Sequence, residues 1–408
     1  MPENRRKITS TGRTTDLQPL QLLSRTTVEI DMSNQSNQTA AREVSERRFR
    51  GAHPFKLGLF SFNTGGGLTH TLAPERWEAS WPNMRRLALE AEQAGLEFLL
   101  PLAGWKGNMG DAESDGYFHE TMAWAAGLLE ATREIHVFAT LHVPFINPVF
   151  AAKQAVTCDH IGSGRLGLNL VAGFNISEFE MMGVEYQDHD ARYAYLDEWL
   201  TVVRRLWSES APFDHRGDAF NLQELVAIPK PYGTALPMVV SAGSSPTGRE
   251  FALNNADALF MVVTDIETIA DELSSIRASM VNREISVFCS GHIICRRTAK
   301  ETQAYYDYLL HEHGDWAAGR HLQKLYEEIK SVPLDVVRSS TFLNRMMSGS
   351  GTLPVVGDPD SVVATLQRLH DAGINGMAFA LPDYLEDFEL FREEVMPRLV
   401  DAGLRLDE

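Results

Sequence analysis

The sequence predicts an α/β protein, a TIM (β/α)8 barrel, and three observations carry that expectation. From residue 55 onward, short apolar runs alternate with amphipathic stretches of helical length. Eight such strand–helix pairs can be counted. The two longest connections both follow strands, the side on which barrels of this kind carry their functional loops. Alternation implies parallel pairing, because parallel neighbours need a crossover helix rather than a tight turn. An open doubly wound sheet is the rival arrangement.

Taken in order, residues 55–62 (FKLGLFSF) read as the first strand and 81–94 as its helix, closed by Gly95. Residues 97–102 form the second strand, with a helix over 119–132. The third strand covers 135–141 (IHVFATL), and the helix over 147–161 stops at Gly162. A fourth strand at 164–171 precedes a long helix over 191–207. Strands at 238–241 and 258–263 come next, then a helix over 266–278, a strand over 285–295 and a helix from 299. A helix over 360–372, a strand over 376–381 and a closing helix over 386–400 complete the barrel, which spans residues 55–400. The segments 105–118 and 305–352 exceed ordinary loop lengths. The second lies between strands seven and eight, and SGSGT at 348–352 reads as a hinge, so this insertion is either a lid or a solvated excursion.

Composition narrows the function. Of 408 residues, 44% are hydrophobic and 23% charged, enough apolar material for one large core. A formal net charge of −18 opposes binding to nucleic acid or anionic lipid. No run reaches the roughly 18 apolar residues of a membrane span. Cys158, Cys289 and Cys295 are too scattered for a disulfide framework or a zinc site and read as core thiols, which suits a cytoplasmic protein. Residues 1–50 are polar and slightly basic without apolar periodicity, so a disordered extension is expected, and Met32 offers an alternative start.

Two segments carry chemistry. The run GRLGLNLVAG at 164–173 ends the fourth strand and places the Asn169 amide where it can face the barrel mouth. The run SAGSSPTG at 241–248 joins the fifth strand to a helix. Its small residues, hydroxyls and helix-start N–H groups suit a phosphate, although a capped Gly/Ser turn has the same composition. Thirteen histidines include no H-E-x-x-H pair, and neither a P-loop, a G-x-G-x-x-G fingerprint nor a G-x-S-x-G elbow is present, so no metal site is expected.

Together with residues 151–164, Glu178, Gly183 and the stretch His189-Asp190-Ala191-Arg192-Tyr193, these runs resemble the luciferase-like, FMN-dependent monooxygenases over about residues 55–400. The alkanesulfonate, dimethylsulfone and pyrimidine branches are the nearest in pattern. The resemblance implies oxygenation of a small organic substrate by O2 and FMNH2, the latter supplied by a separate NAD(P)H-dependent flavin reductase. It implies a homodimer or homotetramer. It further implies that Asn169, Glu178 and Tyr193 line the flavin site, that Gly243, Ser244 and Ser245 hold the phosphate, and that Ala103 and Gly104 lie under the ring. Thr140 would face its reactive edge. His142 and His292 are expected as acid/base or positioning groups, and Arg249 or Arg345 as partners of an anion. Phe60, Leu102, Phe174, Met261 and Phe379 would keep the site dry. The loop containing Trp105, Gly110, Asp111, Ala112, Glu113 and His119 follows no single branch, nor do His142 and Asn147. A deazaflavin-dependent oxidoreductase and a non-catalytic flavin-binding protein are the alternatives on the same barrel.

Overall fold

The computed structural model describes residues 53–407 except 108, 113–115, 234, 244, 264, 279–284 and 330–333. The expectations for the N-terminal extension, Met32, Ser244 and Glu113 lie outside the described residues.

The chain begins with β1 (Lys56–Phe60), α1 (Trp81–Gln93), β2 (Phe98–Leu100) and α2 (Thr121–Ala131). It continues through β3 (His136–His142), α3 (Pro148–Ile161), β4 (Leu166–Val171), the short α4 (Ile176–Met182) and the long α5 (His189–Ser208). An antiparallel hairpin, β5 (Phe213–Arg216) and β6 (Asn221–Leu225), sits outside the barrel. Then come β7 (Met238–Ala242), α6 (Pro246–Asn255), β8 (Ala258–Met261), α7 (Ile269–Ala278) and β9 (Ser286–Cys295). Helices α8 (Ala299–Asp307), α9 (Trp316–Ile329), α10 (Leu334–Val337) and α11 (Ser340–Gly349) lead to β10 (Leu353–Gly357). The chain closes with α12 (Pro359–Ala372), β11 (Gly376–Ala380), α13 (Glu386–Leu390) and α14 (Met396–Asp401).

The eight expected strands, β1, β2, β3, β4, β7, β8, β9 and β11, pair in parallel in that order, and β11 returns to β1. The barrel is closed, and the open-sheet alternative falls away. Alternation of side chains along each strand sorts its residues into two layers. Phe98, Phe138, Phe260 and Phe288 point inward and fill the interior. Phe98 meets the other three edge-to-face, with ring centroids 5.6–6.1 Å apart. The outward residues, such as Leu57, Leu59 and Leu99, pack beneath the helices. Burial on both faces is why the strands read as nearly continuous apolar runs.

Three expectations change. Strand β2 ends at Leu100 rather than at residue 102, so Ala103 and Gly104 lie within the following loop. Met261 and Phe379 pack in the outer layer, because each is one residue from an inward neighbour, Phe260 and Ala378; they do not line the mouth. Phe174 is half exposed. The insertion is no plain loop. It is built of helices, and β10 extends the sheet by pairing with the outer half of β9, Gly291–Cys295. Its SGSGT stretch ends α11 with Ser348 and Gly349 buried, and Ser350 and Gly351 take left-handed backbone at φ 51° and 85°. Among the described residues, no helix is long and apolar enough to cross a membrane.

Candidate active site at the barrel mouth

Above the phenylalanine layer, inward positions of β3 and β4 become polar. Thr140 and Asn169 stand opposite one another in the β3–β4 register, each two residues beyond an inward position of its strand. The Thr140 hydroxyl donates to the Pro101 carbonyl at 2.6 Å, and the Asn169 amide donates to Thr140 Oγ1 at 3.1 Å. This leaves Asn169 Oδ1 buried with no hydrogen-bond partner. An unsatisfied buried acceptor costs about 1–3 kcal/mol. Its position at the mouth fits a ligand that brings an N–H, as the ring system of a reduced flavin does.

One inward step further along β3 is His142, 8% exposed. Burial pushes its imidazole down to about 4, so it is neutral at pH 7. Its Nδ1 makes no hydrogen bond and lies 3.8 Å from Glu178 Oε2. Glu178 sits on α4, whose Asn175 cap accepts from the Ser177 N–H. Its Oε1 accepts from the Trp105 amide at 2.8 Å, fastening the loop that carries Ala103 and Gly104. Burial raises the Glu178 carboxyl, with the Trp105 and Lys106 N–H groups working against that rise. Glu178 therefore joins the β2–α2 loop to His142. The sequence gives no sign of that contact.

The phosphate candidate follows β7, the strand that pairs with β4. Ser245 caps α6, its Oγ accepting from the Gly248 N–H at 3.0 Å, with Pro246 preorganising the first turn. Tyr193, on α5, is hydrogen-bonded to Ser245, and burial raises its phenol. The absence of a side chain at Gly248 makes this possible: a Cβ there would sit 2.5 Å from the Tyr193 hydroxyl. Gly243 is as confined, since its Cβ would meet the Gly248 carbonyl at 2.4 Å. Ser245, Tyr193 and Gly243 are thus brought together at one helix N-terminus, which favours an anion. Arg249 instead pairs with Glu272.

His292 and Arg345 serve elsewhere. His292 is an inward residue of β9, 1% exposed, with Nδ1 2.9 Å from Thr352 Oγ1 and Nε2 unbonded. Burial, reinforced by Arg345, depresses its imidazole to about 3. Arg345 donates to the carbonyls of Val263, Gly351 and Thr352 at 2.6–3.0 Å and so pins the end of the insertion.

A second group of contacts was missed altogether. The β1–α1 loop is strapped to the insertion. Thr69 donates to the Ser348 carbonyl, Thr71 to that of Leu309, and the His70 amide to that of Met347. Residues 69–71 carry an ordinary loop composition, and their partners lie more than 230 positions away, so no local pattern reveals them. Among the described residues, no group of His, Cys, Asp and Glu side chains could hold a metal. The three cysteines are free and buried.

A closed parallel barrel, polar at its mouth and carrying a capped helix N-terminus beside it, defines a ligand-binding α/β barrel of the enzyme type. The chain belongs to the luciferase-like monooxygenase family, whose sequence model matches residues 55–376. It is 26% identical over 347 residues to the FMNH2-dependent dimethylsulfone monooxygenase of Pseudomonas fluorescens, covering 84% of this chain and 93% of that one. It is 27% identical over 357 residues to a pyrimidine monooxygenase of Acinetobacter baylyi, covering 84% and 94%. Its fold is shared with the crystal structure of a long-chain alkane monooxygenase, at a TM-score of 0.76 and 21% identity over 87% of this chain and 93% of that one.

Proposed function

We propose that this luciferase-like monooxygenase binds reduced FMN across the barrel mouth and oxygenates a small organic molecule with O2. The carrying observation is the orphaned Asn169 Oδ1, held in place by Thr140 and set where a ring N–H would satisfy it. The FMNH2-dependent relative supports the choice of cofactor. Reduced FMN, when bound, supplies the two electrons that let O2 divide between an oxygenated product and water. The chain's own residues do the rest. Ser245, Gly243 and Tyr193 hold the phosphate; Ser244 belongs with them as an expectation from the sequence. Ala103 and Gly104, steadied by Glu178 through Trp105, support the ring. His142, neutral and facing the mouth, is the proton-handling group, and the buried Phe layer beneath excludes water from one side.

A separate NAD(P)H-dependent flavin reductase delivers the reduced cofactor, as no nicotinamide-binding fingerprint occurs in the sequence. A cytoplasmic homodimer or homotetramer, with the insertion 305–352 acting as a lid over residues 55–400, completes the proposal. Anaerobic titration of Ser245→Ala tests the phosphate assignment: an FMN affinity about tenfold weaker is expected, from a lost charge-assisted hydrogen bond of about 1.5 kcal/mol. Unchanged affinity removes Ser245 from the site. Product formation that requires O2 supports the oxygenase; hydride transfer to a deazaflavin without O2 establishes the alternative, and binding without turnover the non-catalytic one.

A further inference from the structure

A small, partly open polar cavity lies where the β1–α1 loop, the β2–α2 loop and the insertion meet, and the proposed cofactor chemistry does not use it. Its volume is about 50 Å³. At about 10–15 Å³ per water, that is room for roughly three to five water-sized atoms. Its floor adjoins the loop assigned to the flavin ring. Leu102 lines it one residue before Ala103, and Phe118 lines it while packing so close to Gly104 that a Cβ there would lie 2.9 Å from the Phe118 ring. Asn63 fixes this floor with two hydrogen bonds to the Leu102 backbone, at 2.8 and 2.9 Å. A molecule in the cavity therefore sits beside the proposed ring site.

The lining decides what kind of molecule. Among the described residues lining the cavity there is no Lys or Arg, while Asp315 contributes a carboxylate that is only 2% exposed. Burial alone would raise that carboxyl. The N–H groups of Asp111, Ala112 and Ala318, with His70 nearby, outweigh it and hold Asp315 below the usual carboxylate range, hence ionised. Its Oδ2 accepts from Ala112 at 2.9 Å and its Oδ1 from Ala318 at 3.2 Å, and the Asp111 N–H takes a third of the roughly four acceptor positions of an ionised carboxylate. About one acceptor position is left over, facing a space whose described lining holds no Lys or Arg. An anion there would face the Asp315 carboxylate with no Lys or Arg in the described lining to offset the repulsion, and a long alkyl chain would neither fit nor satisfy the polar wall.

We propose that this cavity is the polar subsite for the substrate and selects small neutral molecules with N–H donors (carboxamides, imides, N–H heterocycles) over anions, sulfones and long alkyl chains. The proposal rests on the flavin reading for its role in catalysis, but the subsite itself can be tested by binding alone. Calorimetry on the full chain, with and without saturating FMN, compares acetamide, acetate, methanesulfonate and dimethyl sulfone, which are of similar size. Acetamide is expected to bind at least tenfold more tightly than the other three. Ala112→Leu, which fills the cavity from a loop position, is expected to weaken acetamide at least tenfold while FMN affinity stays within twofold. Asp315→Asn is expected to bring acetate to within threefold of acetamide; because Asp315 also fastens its loop, thermal unfolding is recorded beside it, and Ala112→Leu decides if that variant unfolds. Acetate, methanesulfonate or dimethyl sulfone binding as well as acetamide overturns the proposal, as does acetamide binding that is undetectable or indifferent to Ala112→Leu. Loss of FMN binding in the wild-type chain overturns the cofactor reading instead, and the flavin-free arms still decide the subsite.

Discussion

Two buried histidines face the inside of the same barrel and have become different things. His142 on β3 keeps an unbonded Nδ1, with the Glu178 carboxylate 3.8 Å away and the mouth in front of it. His292 on β9 has the same parity and similar burial, yet the insertion covers it: Thr352 bonds its Nδ1, and the space a Cβ would occupy at Gly349 lies 1.9 Å from that nitrogen. Burial depresses both imidazoles, to about 4 and about 3. What differs is the surroundings. A strand position next to the short helix α4 stays open to a ligand, whereas one beneath the insertion is used for packing. We therefore assign proton handling to His142 and packing to His292, although both carry the same expectation in the sequence.

The largest expected effect attacks the packing side. Gly349→Ala drives a methyl group into the His292 ring, and the ring cannot withdraw without losing Thr352. A loss of about 3 kcal/mol is expected, at the upper end for overpacking, read as a lower urea midpoint. A stability change below ~1 kcal/mol would show that the insertion yields easily there. Next comes the chemistry. His142→Asn is expected to lower turnover about 100-fold, typical of a lost proton-transfer group, with FMN affinity kept; His292→Asn should leave turnover within about threefold. The reverse ranking breaks the comparison. Acid then tests both residues at once. Unfolded imidazole takes a proton below about pH 6.5, but the folded rings resist until about 4 and about 3. Stability is therefore complete above pH 6.5 and falls with pH, by about 1.4 kcal/mol per unit per ring, or ~2 kcal/mol each at pH 5. The contribution of His142 levels off near pH 4 and that of His292 near pH 3. Urea midpoints for each Asn variant against wild type, from pH 7 to 3, should each lack one of these slopes.

The sequence makes one of these environments more legible than the other. Strand position lets Asn169 face the mouth, the family resemblance adds Thr140, and the Ser245 cap follows from a Gly/Ser run ahead of a helical stretch; the structure sets Thr140 opposite Asn169 in register. Contacts made through register between neighbouring strands need only short-range pattern to be foreseen. His292 carries the same local signal, but its fate depends on Gly349 and Thr352, some 60 residues away in a segment of ordinary helical composition. The strap from Thr69 and Thr71 to Ser348 and Leu309 spans more than 230 residues. Met261 and Phe379 show the opposite failure: their type suits a dry pocket, but a shift of one residue along a strand turns them to the helix layer. Chemistry written into a residue type was legible; the side of the wall on which it ended up depended on register and on distant partners.

The smallest effect separates the two histidines most finely. Thr352 donates its one hydroxyl proton to the Gly349 carbonyl at 2.7 Å and accepts from His292 Nδ1–H at 2.9 Å, so its hydroxyl closes the plug without touching the mouth. Thr352→Val keeps the shape and removes both bonds, and about 1–2 kcal/mol of stability should go with them. Thr352→Ser should restore most of it, since the hydroxyl and not the methyl makes the contacts. Turnover at a temperature well below the unfolding transition should stay within about twofold in both variants, because an effect confined to the plug has no route to His142 except through global unfolding. If Thr352→Val instead lowers turnover tenfold while the Ser variant recovers it, the plug and the mouth are coupled. His292 would then be a positioning residue for the reaction, and the division between the two histidines would have to be redrawn.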